Sequence, residues 1–223
     1  KVMTKNMQMT AKNLINDAKT VAIVPSKIAG ADSFTAAAGL YYMLLEQEKD
    51  VYFVHQGPVP KAAEGLIDDD RVSSSVGQRE LLVTIDYSDT DAGQAHYLTE
   101  NDVLQIRIGP VAKDFDLDKV NATLTGFDFD LIVVIGAQVT ADLGSTYTKL
   151  KSEFEEAKVI NIDNTKRNKN FGDLNIVDDE AVTLSSLLFS RAAQWGLVPN
   201  EKSARALLTG MTYRNSTFGI DKK

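Results

Sequence analysis

Apolar residues occur along this chain in two patterns, short continuous runs and helical repeats. The runs at 21–24 and 51–54 are too short for helices and predict buried strands. The alanine- and leucine-rich segment between them ends near residue 45, and either Asp32 or Ser33 can cap it as a helix. A strand, a helix and a second strand form a βαβ unit, which predicts a parallel sheet and a right-handed crossover.

The same criteria predict the remaining elements outside the middle of the chain. The largely apolar segments at 128–135 and 159–162 indicate further buried strands. Pro199 precedes the last predicted helix, and Asn200 is suited to cap it. Helical periodicity predicts helices at 10–19, 141–156, 180–195 and 200–211.

The segment at about 60–128 differs from its surroundings. Two short β-branched runs, at 81–86 and 103–108, are separated by a polar stretch, which is typical of an antiparallel pair. We therefore predict an α/β fold with a mainly parallel, five-stranded sheet, helices on both faces and an antiparallel strand-rich insert. The whole of 1–223 is expected to form one domain that contains this insert.

Composition limits the classes of function. Hydrophobic residues make up 43% and charged residues 25% of the chain, as in ordinary folded proteins. There is no apolar run of about 18 residues for a membrane span, and no signal-peptide pattern. With no cysteine, the chain is expected to be cytoplasmic. A net charge of −7 argues against an extended nucleic-acid-binding surface.

A distinctive set of residues follows the strand at 159–162. The set consists of Asp163, Asn168, Phe171, Gly172, Asn175 and Asp178. It resembles the motif of the DHH phosphoesterases, in which a buried strand ends in Asp-His-His. Asn164 and Thr165 stand at the two histidine positions. The resemblance implies the N-terminal DHH domain of proteins similar to bacterial oligoribonuclease and phosphoadenosine phosphatase.

The first and fourth DHH-like motifs are also present with substitutions. In the first, Ser26 replaces a histidine, Gly30 replaces an aspartate, and Asp32 is retained. In the fourth, Arg214 stands where the family has an aspartate. The resemblance therefore implies that several metal ligands of the family have been lost.

The second DHH-like motif has two candidate positions. Gly136 follows an apolar strand where the family has an aspartate, and it keeps the family's short spacing to the third motif. Asp86 is the alternative, because it also ends an apolar run. The family's C-terminal substrate-binding domain is not recognisable after residue 218, so we expect it to be absent.

The resemblance implies two-metal phosphoester hydrolysis with Mn²⁺ or a similar ion, which requires several carboxylate and imidazole ligands. Asp32 and Asp163 are the retained ligand-type residues of the first three motifs, while His55 and His96 lie elsewhere. We therefore expect no metal cofactor. If the domain is active, a rebuilt site of Asp32, Asp86 and Asp163 would use Mg²⁺ or Mn²⁺.

Each charged motif residue also has a structural interpretation. Asp32 is placed to cap a helix, and Asp163 to bind backbone amides in its own loop. Arg214 can form an ion pair with either aspartate or clamp an anion such as a nucleotide phosphate.

These observations predict a catalytically inactive DHH-like domain that acts as a binding or structural module. The alternative is a metal-dependent phosphodiesterase or phosphatase that acts on short oligonucleotides or cyclic nucleotides. A third hypothesis is nucleotide binding without cleavage, through Arg214, Asn164 and Asn215. Self-association or docking to another protein is also expected, at the insert or the last helix, because a lone hairpin cannot bury its apolar residues.

Overall fold

The computed structural model describes residues 10–73, 80–86, 94–109, 111, 113–126 and 128–218. The chain divides into two compact units. The larger combines Lys1–Gln78 with Phe127–Lys223, and the smaller is Arg79–Gly126.

Strands and helices alternate in the larger unit, whereas the smaller unit is built mainly from strands. The strands, in chain order, are β1 (Thr20–Pro25), β2 (Asp50–Val54), β3 (Val72–Ser73), β4 (Glu80–Ile85), β5 (Gln94–Glu100), β6 (Val103–Gly109), β7 (Val120–Thr125), β8 (Leu131–Ile135), β9 (Lys158–Asp163) and β10 (Leu174–Val177). The α-helices are α1 (Ala11–Asp17), α2 (Gly30–Leu45), α3 (Ser145–Lys149), α4 (Lys151–Glu156), α5 (Leu184–Ala192) and α6 (Glu201–Phe218).

A parallel sheet with the order β10-β9-β8-β1-β2-β3 forms the centre of the larger unit. Every neighbouring pair in it is parallel. The predicted α/β class and mainly parallel sheet are thus confirmed, with six strands instead of five. The edge strands β3 and β10 are too short for an apolar run to reveal them.

Core residues cover both faces of this sheet. Along β1, Val21 and Ile23 belong to one hydrophobic cluster, and Ala22 and Val24 to the other, because successive side chains of a strand point to opposite faces. Helices α1, α2, α5 and α6 supply the first cluster, while Leu150 and residues of α3 and α4 supply the second. The prediction of helices on both faces is confirmed.

Local sequence signals explain several helix boundaries. The Thr183 side chain caps α5, and the Asn200 side chain accepts a hydrogen bond from the Ser203 amide at 2.8 Å. The helix predicted at 141–156 is broken at Gly144, which has a φ of +55° ahead of α3, and again at Leu150, which has φ −105° and ψ 22° between α3 and α4. Among the described helices, none combines the length and apolar character needed to cross a membrane.

The smaller unit contains two antiparallel pairs, β4 with β7 and β5 with β6. Antiparallel pairing is as predicted, but the predicted partnership of 81–86 with 103–108 is wrong. β6 pairs with β5 across Asn101 and Asp102, whose φ angles of 50° and 62° suit the tight turns that hairpins favour. Apolar periodicity identifies a strand and its faces, but it does not specify the partner.

The strand-rich segment begins later than the sequence predicts. Residues 60–73 belong to the larger unit, where Ala63 and Ile67 are buried in the first cluster. In the smaller unit, large apolar side chains are exposed, including Leu81 (65%) and Tyr97 (81%). Self-association or docking to another protein through this unit or α6 stays a prediction.

Candidate functional site

The carboxyl ends of β1, β8 and β9 lie at one edge of the sheet, and the strand order changes direction between β1 and β8. Ligands of α/β proteins bind in the crevice at such a position. A pocket of about 330 Å³ opens here and brings together the motif positions Asp32, Gly136, Asp163, Asn164 and Thr165. The other lining residues are Ile28, Ala29, Gln138 and Tyr213. We call this pocket the cleft.

Asp163 ends β9 and is only 1% exposed. Its Oδ1 accepts a hydrogen bond from the Asn164 amide at 2.8 Å. Its Oδ2 accepts from the Thr165 hydroxyl at 2.6 Å and from the Asn168 side-chain amide at 2.8 Å. The carboxylate is therefore satisfied within its own loop, by one backbone amide as the sequence suggests and by two side chains that it does not suggest.

Asn164 and Thr165, which stand at the histidine positions of the motif that the sequence resembles, both donate hydrogen bonds within the protein. The Thr165 hydroxyl donates to Asp163, and the Asn164 side-chain amide donates to the Ala181 carbonyl at 3.1 Å. A histidine ligand would instead direct a nitrogen lone pair at a metal ion. These two side chains thus stabilise the loop through hydrogen bonds that they donate.

The other retained residues of the third motif have structural roles. Asn168 Oδ1 accepts from the Asn161 side chain at 3.0 Å. A Cβ on Gly172 would lie 2.9 Å from the Leu174 carbonyl oxygen, so only glycine fits without a shift. The Asn175 side chain bonds both the amide and the carbonyl of Gly172, at 3.0 and 2.8 Å. The motif therefore builds the connection from β9 to β10.

Asp32 lies inside the first turn of α2, which begins at Gly30. The prediction that Asp32 or Ser33 caps this helix is wrong, and the Ser33 hydroxyl donates instead to the Ser26 carbonyl at 2.6 Å. Both carboxylate oxygens of Asp32 accept from the Leu184 amide, at 3.0 and 3.1 Å. Leu184 is the first residue of α5, so Asp32 complements the dipole of a different helix.

The remaining substituted motif positions are small or buried. Gly136 has a φ of +77°, and a Cβ there would lie 2.8 Å from both Ala29 Cβ and Leu184 Cδ1. An aspartate at this position therefore cannot fit unless its neighbours move. Gly30 has a φ of +59°, but a Cβ there would meet nothing within 4 Å. Ser26 is buried.

Within the described parts of the chain, no three histidine, aspartate or glutamate side chains are close enough to share a metal ion. Asp32 and Asp163 both line the cleft, but each carboxylate accepts hydrogen bonds from the protein. Asp86 belongs to the smaller unit, where its amide donates to the Lys119 carbonyl. The rebuilt three-carboxylate site stays a prediction. His55 lines a different pocket.

Arg214 and Asn215 lie in α6, but their side chains are outside the described residues, so their predicted roles stay predictions. Two cleft residues, Tyr213 and Gln138, were missed by sequence reasoning. Both lie close in sequence to predicted site residues, because Tyr213 directly precedes Arg214 and Gln138 comes two positions after Gly136. That proximity could have identified them.

Comparison with known proteins adds to this geometry at the level of the fold. No protein-family model matches the sequence, and no curated protein matches it. The structure is similar to the crystal structure of an exopolyphosphatase-related protein from Bacteroides fragilis, with a TM-score of 0.60. The two proteins therefore share a similar fold.

That similarity covers 92% of this chain and 49% of the Bacteroides fragilis chain, at 15% sequence identity. This chain therefore spans about half the length of the protein that it resembles. At such low identity the similarity describes the fold alone.

Proposed function

We propose that this domain retains a phosphoesterase-like fold without metal-dependent hydrolysis and acts as a binding or structural module. The observation that carries the proposal is the use of both motif carboxylates as internal hydrogen-bond acceptors. Asp163 accepts from three donors in its own loop, and Asp32 accepts from the first amide of α5. Two-metal hydrolysis needs several such oxygens directed at two ions about 3.5–4 Å apart.

The second-motif position supports the same proposal. A carboxylate that replaced Gly136 would have its Cβ 2.8 Å from Ala29 and Leu184 side-chain atoms. A further metal ligand at this point would therefore require rearrangement of the loop after β1 and of α5. At the third motif, the Thr165 hydroxyl donates to Asp163, and neither Asn164 nor Thr165 carries the imidazole nitrogen that the resemblance implies for a metal ligand.

Hydrolysis assays and calorimetry test this proposal directly. The substrates are bis-p-nitrophenyl phosphate, short oligoribonucleotides, cyclic dinucleotides and polyphosphate, the last suggested by the exopolyphosphatase-related protein. We expect no turnover above buffer with Mn²⁺ or Mg²⁺, and no heat of binding when either ion is titrated to millimolar concentration. An active DHH phosphoesterase serves as the positive control.

Two variants make a positive result interpretable. Asp163→Asn alters the buried carboxylate, and Asp179→Asn is its matched control, because Asp179 pairs with Lys166 at the surface. Metal-dependent turnover that Asp163→Asn abolishes and Asp179→Asn leaves intact would refute the proposal, provided that circular dichroism shows both variants folded.

Nucleotide binding in the cleft is a second candidate function, favoured by the uncharged polar and aromatic side chains that line it together with Asp32 and Asp163. Gln138, Asn164 and Thr165 offer hydrogen-bonding groups, and Tyr213 offers an aromatic ring on which a base can stack. The predicted contacts from Arg214 and Asn215 belong to this candidate.

A thermal-shift screen of mono- and dinucleotides tests the second candidate. A ligand at a hundred times its dissociation constant adds about 2.7 kcal/mol, which raises the Tm of a domain of this size by roughly 5–10 °C. Tyr213→Ala should remove that shift, and because Tyr213 is 47% exposed, it should change the unliganded Tm little. If no nucleotide raises the Tm, this candidate is wrong.

A further inference from the structure

One face of the antiparallel pair of β4 and β7, which we call the β4/β7 ribbon, is apolar. Residues directly opposite each other in such a pair share a face, and successive residues of a strand alternate between faces. The shared face holds two rows and one further leucine: Val83 with Ala122, Ile85 with Val120, and Leu81. Leu81 is 65% exposed, and Val83 and Val120 are 38% and 39% exposed. This apolar face is therefore only partly covered.

The antiparallel pair of β5 and β6, the β5/β6 ribbon, is built in the same way. Its apolar face holds three rows: Ala95 with Ile108, Tyr97 with Ile106, and Thr99 with Leu104. Tyr97 is 81% exposed, and Ile106 and Leu104 are 51% and 59% exposed. A two-stranded hairpin is marginally stable at best in water, and packing against its apolar face stabilises it. Both ribbons therefore require a surface that covers this face.

The opposite faces of the ribbons are mixed, and they hold every charged or titratable residue of the four strands. These residues are Glu80, His96, Glu100 and Arg107. Burial of an unpaired charge is costly. Because the two apolar faces carry no charge, another apolar surface can cover either of them without that cost.

The two apolar faces differ in relief. The middle row of the β4/β7 face, Val83 with Ala122, is its smallest pair. The middle row of the β5/β6 face, Tyr97 with Ile106, is its largest pair. A small row between larger rows forms a depression, and a large row between smaller rows forms a ridge. Since side chains of packed sheets interdigitate at close-packed density, the ridge of the β5/β6 ribbon fits the depression of the β4/β7 ribbon.

The ridge is not seated in the depression of the same chain, because Tyr97 is the most exposed large apolar side chain among the described residues. A second copy of the chain supplies both surfaces. We propose that the smaller unit forms a homodimer in which the β5/β6 ribbon of one protomer packs on the β4/β7 ribbon of its partner. The same contact then forms twice about a two-fold axis, so the assembly closes as a dimer.

The size of this contact sets the expected affinity. A strand of six or seven residues is roughly 20 Å long and a ribbon is about 10 Å wide, so the four apolar faces of a dimer offer a footprint of roughly 800 Å². Such an area is at the low end for specific interfaces, and we expect reversible association in the micromolar range. The inference does not rest on the proposed loss of hydrolysis in the cleft.

Salt distinguishes a second copy from a basic partner. Arg79–Gly126 contains nine acidic and four basic residues, so two copies repel each other at low ionic strength, whereas a basic protein would be attracted. Salt screens both effects, since the Debye length is about 10 Å at 0.1 M. A higher NaCl concentration should therefore strengthen the homodimer and weaken a complex with a basic protein.

Sedimentation velocity of the intact protein tests the inference. Between about 1 and 100 μM protein, the mean mass should rise from 24.4 kDa towards twice that value. At fixed protein concentration, the dimer fraction should rise between about 0.05 and 0.5 M NaCl. A strict monomer at about 100 μM, or a dimer that salt dissociates, would overturn the inference. This measurement needs no variant, so it remains valid if a substitution prevents folding.

Matched variants test which surface forms the dimer. Val83→Glu and Ile106→Glu each place a charge on an apolar face. Thr84→Glu and Gln105→Glu place the same charge on the opposite faces of the same strands. We expect the first two to weaken dimerisation at least about tenfold and the two controls to change it less than about threefold. Equal effects of the two kinds of variant would overturn the inference.

A double variant tests the reciprocal arrangement. Val83→Glu combined with Ile106→Lys places opposite charges across each contact when unlike ribbons meet, so it should dimerise at least about tenfold more tightly than Val83→Glu alone. If like ribbons met instead, no such recovery would follow, and the reciprocal arrangement would be wrong. Closure of the two ribbons on each other within one chain would give a monomer whose stability falls in the face variants at every concentration, and it would also overturn the proposal.

Discussion

Replacing Gly136 with alanine is the sharpest test of why the second DHH-like motif lacks its aspartate. The new Cβ would lie 2.8 Å from Ala29 Cβ and from Leu184 Cδ1, and 3.1 Å from Ser33 Cβ. The backbone also has a φ of +77°, which side chains rarely adopt. The substitution therefore incurs a backbone cost and a packing cost together.

Both costs can be given magnitudes. A left-handed backbone costs a non-glycine residue about 1–2 kcal/mol, and overpacking of a close-packed site costs about 1–3 kcal/mol. Gly136→Ala should therefore lower the free energy of unfolding by about 2–5 kcal/mol. At roughly 2–4 °C per kcal/mol, the Tm should fall by roughly 5–20 °C.

Gly30→Ala is the matched control, because Gly30 has a φ of +59° but open space where its Cβ would be. It should incur the backbone cost alone, about 1–2 kcal/mol. Urea denaturation of both variants, followed by circular dichroism, measures the difference. Equal losses of stability in the two variants would refute the packing argument. A larger loss of stability for Gly136→Ala would mean that any side chain at position 136 destabilises the fold. Replacing Gly136 alone with an aspartate would then not rebuild the motif.

Two further predictions concern other buried or bonded carboxylates. Asp163→Asn should cost about 2–4 kcal/mol, because the new amide cannot accept all three hydrogen bonds; a loss below about 1 kcal/mol in urea denaturation would contradict this. Asp130 Oδ2 accepts from the amides of Lys19 and Thr20 at 2.8 and 2.9 Å, and these bonds, that of Thr20 first, lower the pKa of Asp130 below 3.8. Asp130→Asn should cost about 1 kcal/mol at pH 7, discounted for exposure. Because the folded-state pKa of Asp130 is lowered, its stabilisation is complete above the unfolded value of 3.8 and is lost as the pH falls from there through the folded-state pKa. The gap to wild type should therefore close as the pH falls below 3.8; a gap that stays constant down to pH 2 would contradict this.

The sequence by itself determined the central architecture. The runs that became β1 and β8 are continuously apolar, and that of β9 is interrupted only by Asn161, which is the pattern of strands buried on both faces in an α/β fold. The loop around Asp163 was predictable in part, because an aspartate in a turn commonly accepts from nearby backbone amides. The side-chain donors Thr165 and Asn168 were recognised only in the structure.

Tertiary structure alone decided the features that join distant segments. Asp32 binds the amide of Leu184, 152 positions away, so no local capping rule identifies its partner. The pairing of β6 with β5 depended on a two-residue turn at Asn101, whereas periodicity left the choice of partner open.

The cleft and the separate pocket that His55 lines also differ in whether the sequence predicts them or only the tertiary structure reveals them. Sequence motifs pointed to the cleft, since its residues follow consecutive parallel strands whose carboxyl ends meet at one edge. The pocket at His55 has no motif, and it exists only because the loops after β1 and β2 converge beside α2. Whether a glycine such as Gly136 tolerates a side chain is likewise a matter of neighbours from other elements. Periodicity records which face of an element is buried, and packing decides what that face meets.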